Sequence, residues 1–346
     1  MVPEKEITIY DIAKRLNIAA STVSRGLKDN PVINKLTRKK IAEAAKELGY
    51  SSNNFASSLR SKKTFTLGVL VPRLNSYFMA SVMSGMEVVA NREGYNLIIS
   101  QSLEKTTKEV VNAQTMFNKR VDGLLVSLAY DTENIDHLEP FFRKNIPVVF
   151  FDRVFAHGDS TCIIIDNYSA GYEVTKHLIS QGCTRIMLLG GNMLRNVYAE
   201  RLRGYKQALK DHKLLFNDKY IYISNLTEND GNLAAKYILK MKAKDRPDAV
   251  FSSNDTAAVH CMIRLKAEGI KIPADIAFAG FNNDPISKII EPNLTSVNYA
   301  GSTIGEIAVT NLINHLNGLT NVKNTNTIVV RADLVIRESS QKKLIV

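Results

Sequence analysis

Residues 8–27 read TIYDIAKRLNIAASTVSRGL, and the rest of the chain is best read outward from them. The pattern is two short helices joined by a tight turn. Thr8 is placed to cap the first helix, and Asp11, three residues on, completes a capping box. Ile12, Ala13 and Leu16 share one helical face, and Val23 and Leu27 share one face of the second helix. Asn17 and Ile18 fall at the turn. Ala20, Ser21, Thr22, Ser24, Arg25 and Lys28 remain outward on the second helix. That face is small, polar and basic, the kind that enters a major groove and reaches phosphates. A plain surface hairpin of helices would show the same spacing, so the flanking sequence has to decide.

The charge distribution favours a polyanion binder. The chain has 346 residues and a net charge of +11, of which residues 1–63 carry +7 and the other 283 only +4. A basic head on a near-neutral body points to nucleic acid more than to a membrane surface, because no helix in the head pairs a broad bulky apolar face with a basic one. Length suggests two or three domains. The N-terminal MVPEKEITIYD has no apolar core of a secretory signal, and no apolar run approaches a membrane span, so a cytoplasmic protein is expected. Cys162, Cys183 and Cys261 are far apart and match no metal or redox spacing; they are expected to be buried and structural.

Beyond the helix pair, Asn30–Asn34 is a polar turn. A third helix is expected from about Lys35 to Leu48, with Asn34 as its cap and Gly49 as its stop. Leu36, Ile41, Ala44, Ala45 and Leu48 are its expected core stripe. The stretch 50–63, YSSNNFASSLRSKK, has linker composition with one amphipathic turn at Phe55, Ala56 and Leu59, too short to be helical alone in water. From Thr66 onward apolar runs alternate with helical segments: Leu67–Val71, Asn96–Ile99, Gly123–Ser127, Val148–Phe151, Ile186–Leu189, Tyr220–Ile223, Ala249–Ser252 and Ile276–Gly280, with a last strand at Ile328–Ile336. Continuous apolar strands at βαβ spacing imply parallel sheets covered on both faces, here two doubly wound lobes. The irregular piece Asp152–Thr161 is the expected crossing between them. Ligands in such sheets sit beyond the carboxyl ends of the strands, which carry Pro72, Ser127, Asp152, Gly190, Asn254 and Asn282.

YDIAKRLNIAASTVSRGL, the stretch YSSNNFASSLRSKKTFTLGVLVP, FFDR, SSND, GFNND and EPNLTSV together resemble the LacI/GalR family of transcriptional regulators, from about Ile7 to Ser339. The resemblance implies an α/β fold with a three-helix helix-turn-helix DNA-binding head and two doubly wound parallel-sheet lobes of the periplasmic-binding-protein-like type. The boundaries it implies are 1–50 for the head and 51–63 for a hinge helix. The N-lobe would be 64–163 plus 291–327, and the C-lobe 164–290 plus 328–340. It places Ala20, Ser21 and Arg25 at base edges, Arg25 suiting a bidentate contact with guanine. Tyr10, Thr22 and Ser24 would hold phosphates. In the hinge, Asn53, Ala56 and Leu59 would meet DNA, Leu59 as a wedge in the minor groove. The implied effector positions are Tyr77, Phe78, Ser127, Asp152, Arg201, Leu226, Asn254 and Asn282. A structural salt bridge with Arg153 is the competing role for Asp152.

Four positions depart from the family pattern. Ala19 stands where a capping Ser is frequent, at a cost of about 1 kcal/mol. Ser52 replaces the hinge proline, Asn282 an aspartate, and Leu226 a stacking aromatic. An enzyme is not expected, since the chain has no G-x-x-x-x-G-K, G-x-S-x-G or HExxH motif and Gly190–Gly191 lacks the spaced glycines of a dinucleotide site. No catalytic residue, metal or cofactor is expected. The function expected is a dimeric repressor binding a pseudopalindromic double-stranded operator, switched by a small polar effector such as a sugar or related metabolite. A dimer is expected over a tetramer because no apolar heptad tail follows the last strand. The alternative keeps the DNA binding and gives the switch to a partner protein docking on the body. A sugar sensor without DNA binding, or a sugar-processing enzyme, is third.

Overall fold

A computed structural model describes residues 7–50, 63–324 and 326–342, which separate into a head before Phe65 and a body after it. The expected hinge contacts Asn53, Ala56 and Leu59 lie outside the described residues.

The head is three helices, α1 (Ile9–Leu16), α2 (Ala20–Leu27) and α3 (Lys35–Glu47). Both the amide and the hydroxyl of Thr8 donate to Asp11 Oδ2, at 2.8 and 2.7 Å, so the first turn closes on itself. Asn17 ends α1 in the left-handed region at φ 51°, where asparagine is tolerated better than most residues. Ile12, Val23 and Ile41 meet in the centre, fully buried. Gly26 lets α2 and α3 close: a Cβ there would stand 2.4 Å from Ile41 Cδ1. Two expected core residues fall outside it. Leu36 is 71% exposed, because five residues before Ile41 it is rotated about 140° off the stripe. Leu27, the last residue of α2, is 36% exposed with no further turn to cover it.

In the body the described strands form two sheets. The first has the order β11–β5–β4–β3–β1–β2 and every pairing is parallel. Its strands are β1 (Thr66–Val71), β2 (Asn96–Gln101), β3 (Gly123–Val126), β4 (Val148–Phe151), β5 (Ser160–Ile165) and β11 (Thr327–Val330). The second sheet has the order β12–β10–β9–β8–β6–β7, parallel except for β10 with β12. It contains β6 (Ile186–Gly190), β7 (Ile221–Ile223), β8 (Ala249–Ser252), β9 (Ala277–Phe281), β10 (Thr295–Asn298) and β12 (Asp333–Val335).

The inner strands have two dry faces because both are packed. Leu67, Val69 and Val71 of β1 point into a central cluster, while Leu70 joins a separate outer one. Val149 and Phe151 of β4 divide from Val148 and Phe150 in the same way. Helices α4 (Tyr77–Arg92) and α5 (Thr106–Asn118) follow β1 and β2; α6 (Glu139–Arg143) follows β3. The second lobe adds α7 (Asn167–Ser180), α8 (Asn196–Asp211), α9 (Glu228–Lys240), α10 (Asp255–Ala267) and the short α11 (Ile286–Ile289), and α12 (Gly301–Leu316) returns to the first lobe against α4. The central cluster runs through both lobes, uniting residues of α4 and α12 with residues of α7 and α8.

The chain changes sheets at places other than those expected. The piece Asp152–Thr161, anticipated as a crossing, instead leads into strand β5 (Ser160–Ile165) of the first sheet, so the chain leaves it after Ile165. Thr295–Asn298 pairs in the second sheet, which moves the return crossing from 291 to just before α12. The single strand anticipated at Ile328–Ile336 is two, β11 in the first sheet and β12 in the second, because the chain turns at Arg331–Ala332. Three short crossings therefore join the lobes side by side. Cys162, Cys183 and Cys261 are buried and free.

Candidate functional site

The head presents α2 as a ridge. Ser21 and Arg25 are exposed, Thr22 and Ser24 half-buried, and Tyr10 of α1 is largely exposed beside them. Ala20 is partly buried against the head core, leaving its methyl group and backbone as the outward surface. No side chain caps α2 at Ala19, so its first amides are left for water or an anion. Helix N-termini favour phosphate oxygens, and a guanidinium one turn from the helix end has the length to reach a base edge.

In the body, the strand ends converge on a cavity of about 110 Å³ lined by both lobes. Its walls are Pro72, Arg73, Ser76 and Phe78 beyond β1, Glu104 beyond β2, and Tyr130 beyond β3. Asp152 and Arg153 stand at the end of β4, with Tyr198 and Arg201 on α8. Asn225 and Leu226 follow β7, Ser253 and Asn254 follow β8, Asn282 follows β9, and Tyr299 precedes α12. Four of these residues hold backbone conformations that L side chains seldom adopt: Glu104 at φ 62°, Asp152 at φ 58°, Leu226 at φ 57° and Asn282 at φ 103°. Each such position costs on the order of 1–3 kcal/mol, and strain of this kind gathers at functional sites.

The lobes touch across the cavity. Arg153 Nη2 donates to the Tyr198 hydroxyl at 3.1 Å, and the Tyr130 and Tyr198 hydroxyls lie 3.0 Å apart. Asn192 donates to the Tyr130 carbonyl at 2.9 Å, and Arg195 Nη2 donates to the Thr132 carbonyl. Asn196 accepts from the Val154 amide at 3.0 Å and donates to the Asp152 carbonyl at 3.1 Å. These are discrete polar bridges across the mouth of the cleft, the kind of contact that a cleft exchanges as it opens.

The buried charges are held by different means. Arg153 pairs with Glu104 at 2.7 Å and lies 4.2 Å from the Tyr130 ring centroid. Burial pulls its pKa down, but Tyr198 and Glu104 outweigh this and hold it well above the usual value, so the group is a fixed cation. Arg201 donates from Nε to Asn167 Oδ1 and from Nη1 to the Ser253 carbonyl, both at 2.9 Å, and its guanidinium lies 3.4 Å from the Phe281 ring centroid. Burial pulls its pKa down. Asp152 accepts from the Tyr299 hydroxyl at 3.1 Å and from Ser127 Oγ at 3.4 Å. Burial pushes its pKa up, only partly offset by Arg153 and Arg201. The salt bridge that competed for Asp152 is made by Glu104 instead.

The structure brings Phe78, Asp152, Arg201, Leu226, Asn254 and Asn282 together on the cavity wall. Two expected effector residues stand elsewhere. Tyr77 is 59% exposed, because its neighbours Phe78 and Met79 turn inward and successive helical residues point about 100° apart. Ser127 is fully buried behind Asp152 and reaches the cavity only through that carboxylate. Asn254 caps α10 through Oδ1 and donates Nδ2 to the Leu226 carbonyl, so its amide is already engaged. Sequence reasoning missed Arg73, Glu104, Tyr130, Tyr198 and Asn225 and gave Arg153 only a structural role. Tyr198 was within reach, since it precedes Arg201 by one helical turn and shares its face.

Residues 8–53 match the family of bacterial regulatory proteins named for lacI, and residues 175–340 match the periplasmic binding protein-like domain. The chain is 31% identical to catabolite control protein A of Priestia megaterium over 90% of this chain and 93% of that one. It is 30% identical to the ribose operon repressor of Haemophilus influenzae over 96% and 98% of the two chains. The PurR repressor of Vibrio cholerae is 33% identical over 87% and 89%. In fold it is similar to the Lac repressor dimer bound to operator and an anti-inducer, with a TM-score of 0.86, 21% identity and coverage of 97% and 99%. With a groove-fitting basic head and a two-lobed cleft in one chain, the protein belongs to the lacI family of DNA-binding transcriptional regulators.

Proposed function

We propose that this chain is a cytoplasmic repressor whose affinity for a pseudopalindromic operator is switched by a small polar molecule bound between the lobes of its body. The observation that carries the reading is the cleft: strained strand-end residues and buried arginines converge where polar bridges span the two lobes. Ser21 and Arg25 read base edges, and Tyr10, Thr22 and Ser24 hold phosphates. The N-lobe and C-lobe act as the two jaws. The cavity of about 110 Å³ is smaller than the roughly 150 Å³ that accommodates benzene in an engineered protein cavity, so a sugar or purine enters only as the jaws part. Ligand binding and DNA binding are then linked reciprocally.

A homodimer fits the surface of the body. At one edge of each sheet stand β2 and β7, and on them and the segments that follow, with α10, Ile99, Leu103, Val111, Ile223, Leu233 and Ile263 are exposed. Such an apolar band on an edge is a surface that a second copy covers. No described helix is long and apolar enough to cross a membrane.

A thermal-shift screen of the full chain against sugars, sugar acids, sugar phosphates, nucleosides and purines tests the ligand switch. A binder at 100 times its dissociation constant adds about 2.7 kcal/mol, a rise of several degrees. Arg201→Ala is expected to abolish the rise; a rise that survives in that variant would place the ligand outside the cleft.

A further inference from the structure

The ionic groups of the cleft do not balance. Its lining carries the guanidinium groups of Arg73, Arg153 and Arg201 against the carboxylates of Glu104 and Asp152. Glu104 serves the first two at once, with Oε1 3.3 Å from Arg73 Nε and Oε2 2.7 Å from Arg153 Nη1. Arg201 is 3% exposed, and its hydrogen bonds among the described residues go to neutral acceptors, from Nε and Nη1 only. Its Nη2 side is left to the cavity. Asp152 offsets one further charge, its oxygens accepting from Tyr299 and Ser127, which leaves the lining with one positive charge in excess. Asn282, another polar group on that wall, carries no charge. Positive charge in excess on a buried wall is costly, so the excess is itself a recognition element for an anion.

We infer that the effector is an anion, a small hydroxylated molecule bearing a carboxylate or a phosphate, with Arg201 as its direct counter-charge and the Glu104-bridged pair of Arg73 and Arg153 as the positive wall behind it. This rests on the ligand-switch reading and sharpens it. Neutral sugars satisfy the hydroxyl-binding groups and leave the charge uncompensated; an acid or phosphate ester does both. Guanidinium suits either anion, because both accept two parallel N–H bonds.

The test is calorimetric titration of the full chain at fixed ionic strength with matched probes: gluconate and glucose 6-phosphate against glucose, and ribose 5-phosphate against ribose. At least one anion is expected to bind about tenfold or more tighter than its neutral counterpart. The comparison of gluconate with glucose 6-phosphate tells carboxylate from phosphate. Asn282→Asp adds a negative charge to the cavity wall in a side chain of the same shape, with loss of the hydrogen bond that Asn282 makes to Asp284. It is expected to weaken the anion about tenfold, and Glu104→Gln to move the preference the other way. Neutral probes that bind as tightly as their anionic partners would overturn the inference while leaving the ligand switch standing. Binding by none of these probes, with a neutral hit elsewhere in the wider screen, would overturn it as well. A blank across the wider screen would remove the ligand switch and the inference together.

Discussion

Gly305→Ala is expected to destabilise the body by about 3 kcal/mol or more, enough to remove most soluble protein at 37 °C. Gly305 lies in α12, where that helix crosses α4. A Cβ there would stand 2.1 Å from the Val82 carbonyl oxygen and 2.9 Å from the Met86 amide nitrogen. Both are backbone atoms of α4, so no side chain can swing aside and the helices must separate. The contact is reciprocal, since a Cβ on Gly85 of α4 would stand 2.1 Å from the Ser302 carbonyl oxygen. Separation would pull α12 off the first sheet, whose central cluster includes Ile304, Ala308 and Leu312. The control is Gly158→Ala, at an exposed turn with nothing within 4 Å, where a change within about 0.5 kcal/mol is expected. Urea unfolding of both variants checks this. A Gly305→Ala midpoint equal to that of the control would show that the helices do not approach as described.

Asp255→Asn is expected to stabilise the protein increasingly as the pH rises. Asp255 opens α10 inside the second lobe with no exposed surface; Oδ1 accepts from Ser296 Oγ and Oδ2 from the Asp284 amide, both at 2.7 Å. Burial first, and the nearby Asp284 carboxylate second, push its pKa up to about 8. Burial also raises Asp284 to about 6. The helix N-terminus and the two donors favour the charged form, but burial wins. A carboxylate raised in this way binds its proton more tightly in the folded state than in the unfolded one, whose value is about 3.9. Stability is therefore full below pH 4, falls as the pH climbs to about 8, and levels off above that. The loss is on the order of a few kcal/mol. Asparagine keeps one acceptor for the Asp284 amide, and its NH₂ donates to the Ser296 hydroxyl, which rotates to accept. Unfolding midpoints of both proteins at pH 5 and pH 8 are the measurement. A difference between them that does not change with pH would mean that Asp255 is not held neutral.

The parts of this fold that were legible in sequence are those with local periodicity. The helix pair and the eight strand runs appear within about a residue or two of their expected places, and for the six inner runs burial on both faces leaves an unbroken apolar signature. What was hidden depends on long-range contacts. Strand β5 opens with Ser160 and Thr161, polar residues that read as a loop. They are buried because their hydroxyls donate to the carbonyls of His157 and Val322, the second of these far along the chain. Strands β11 and β12 are half-exposed and separated only by Arg331–Ala332, so they read as one. The effector positions at strand ends followed from family likeness, but Glu104 did not. Its role as the shared partner of Arg73 and Arg153 exists only once β1, β2 and β4 lie in one sheet. Tyr130 gives no sequence signal either, since what places it is a hydroxyl contact with Tyr198 from the opposite lobe.

The central claim is that α2 reads DNA sequence, and the direct measurement is selection of duplexes from a random pool by the full chain and by Arg25→Ala. The account predicts that the full chain enriches a pseudopalindrome with two half-sites. It also predicts that Arg25→Ala binds the selected duplex about 1–3 kcal/mol more weakly and loses preference at one symmetric base pair. Enrichment of no sequence, or an equal loss by the variant on selected and random duplexes, would contradict it, and would reduce Arg25 to a phosphate contact on a head that does not discriminate.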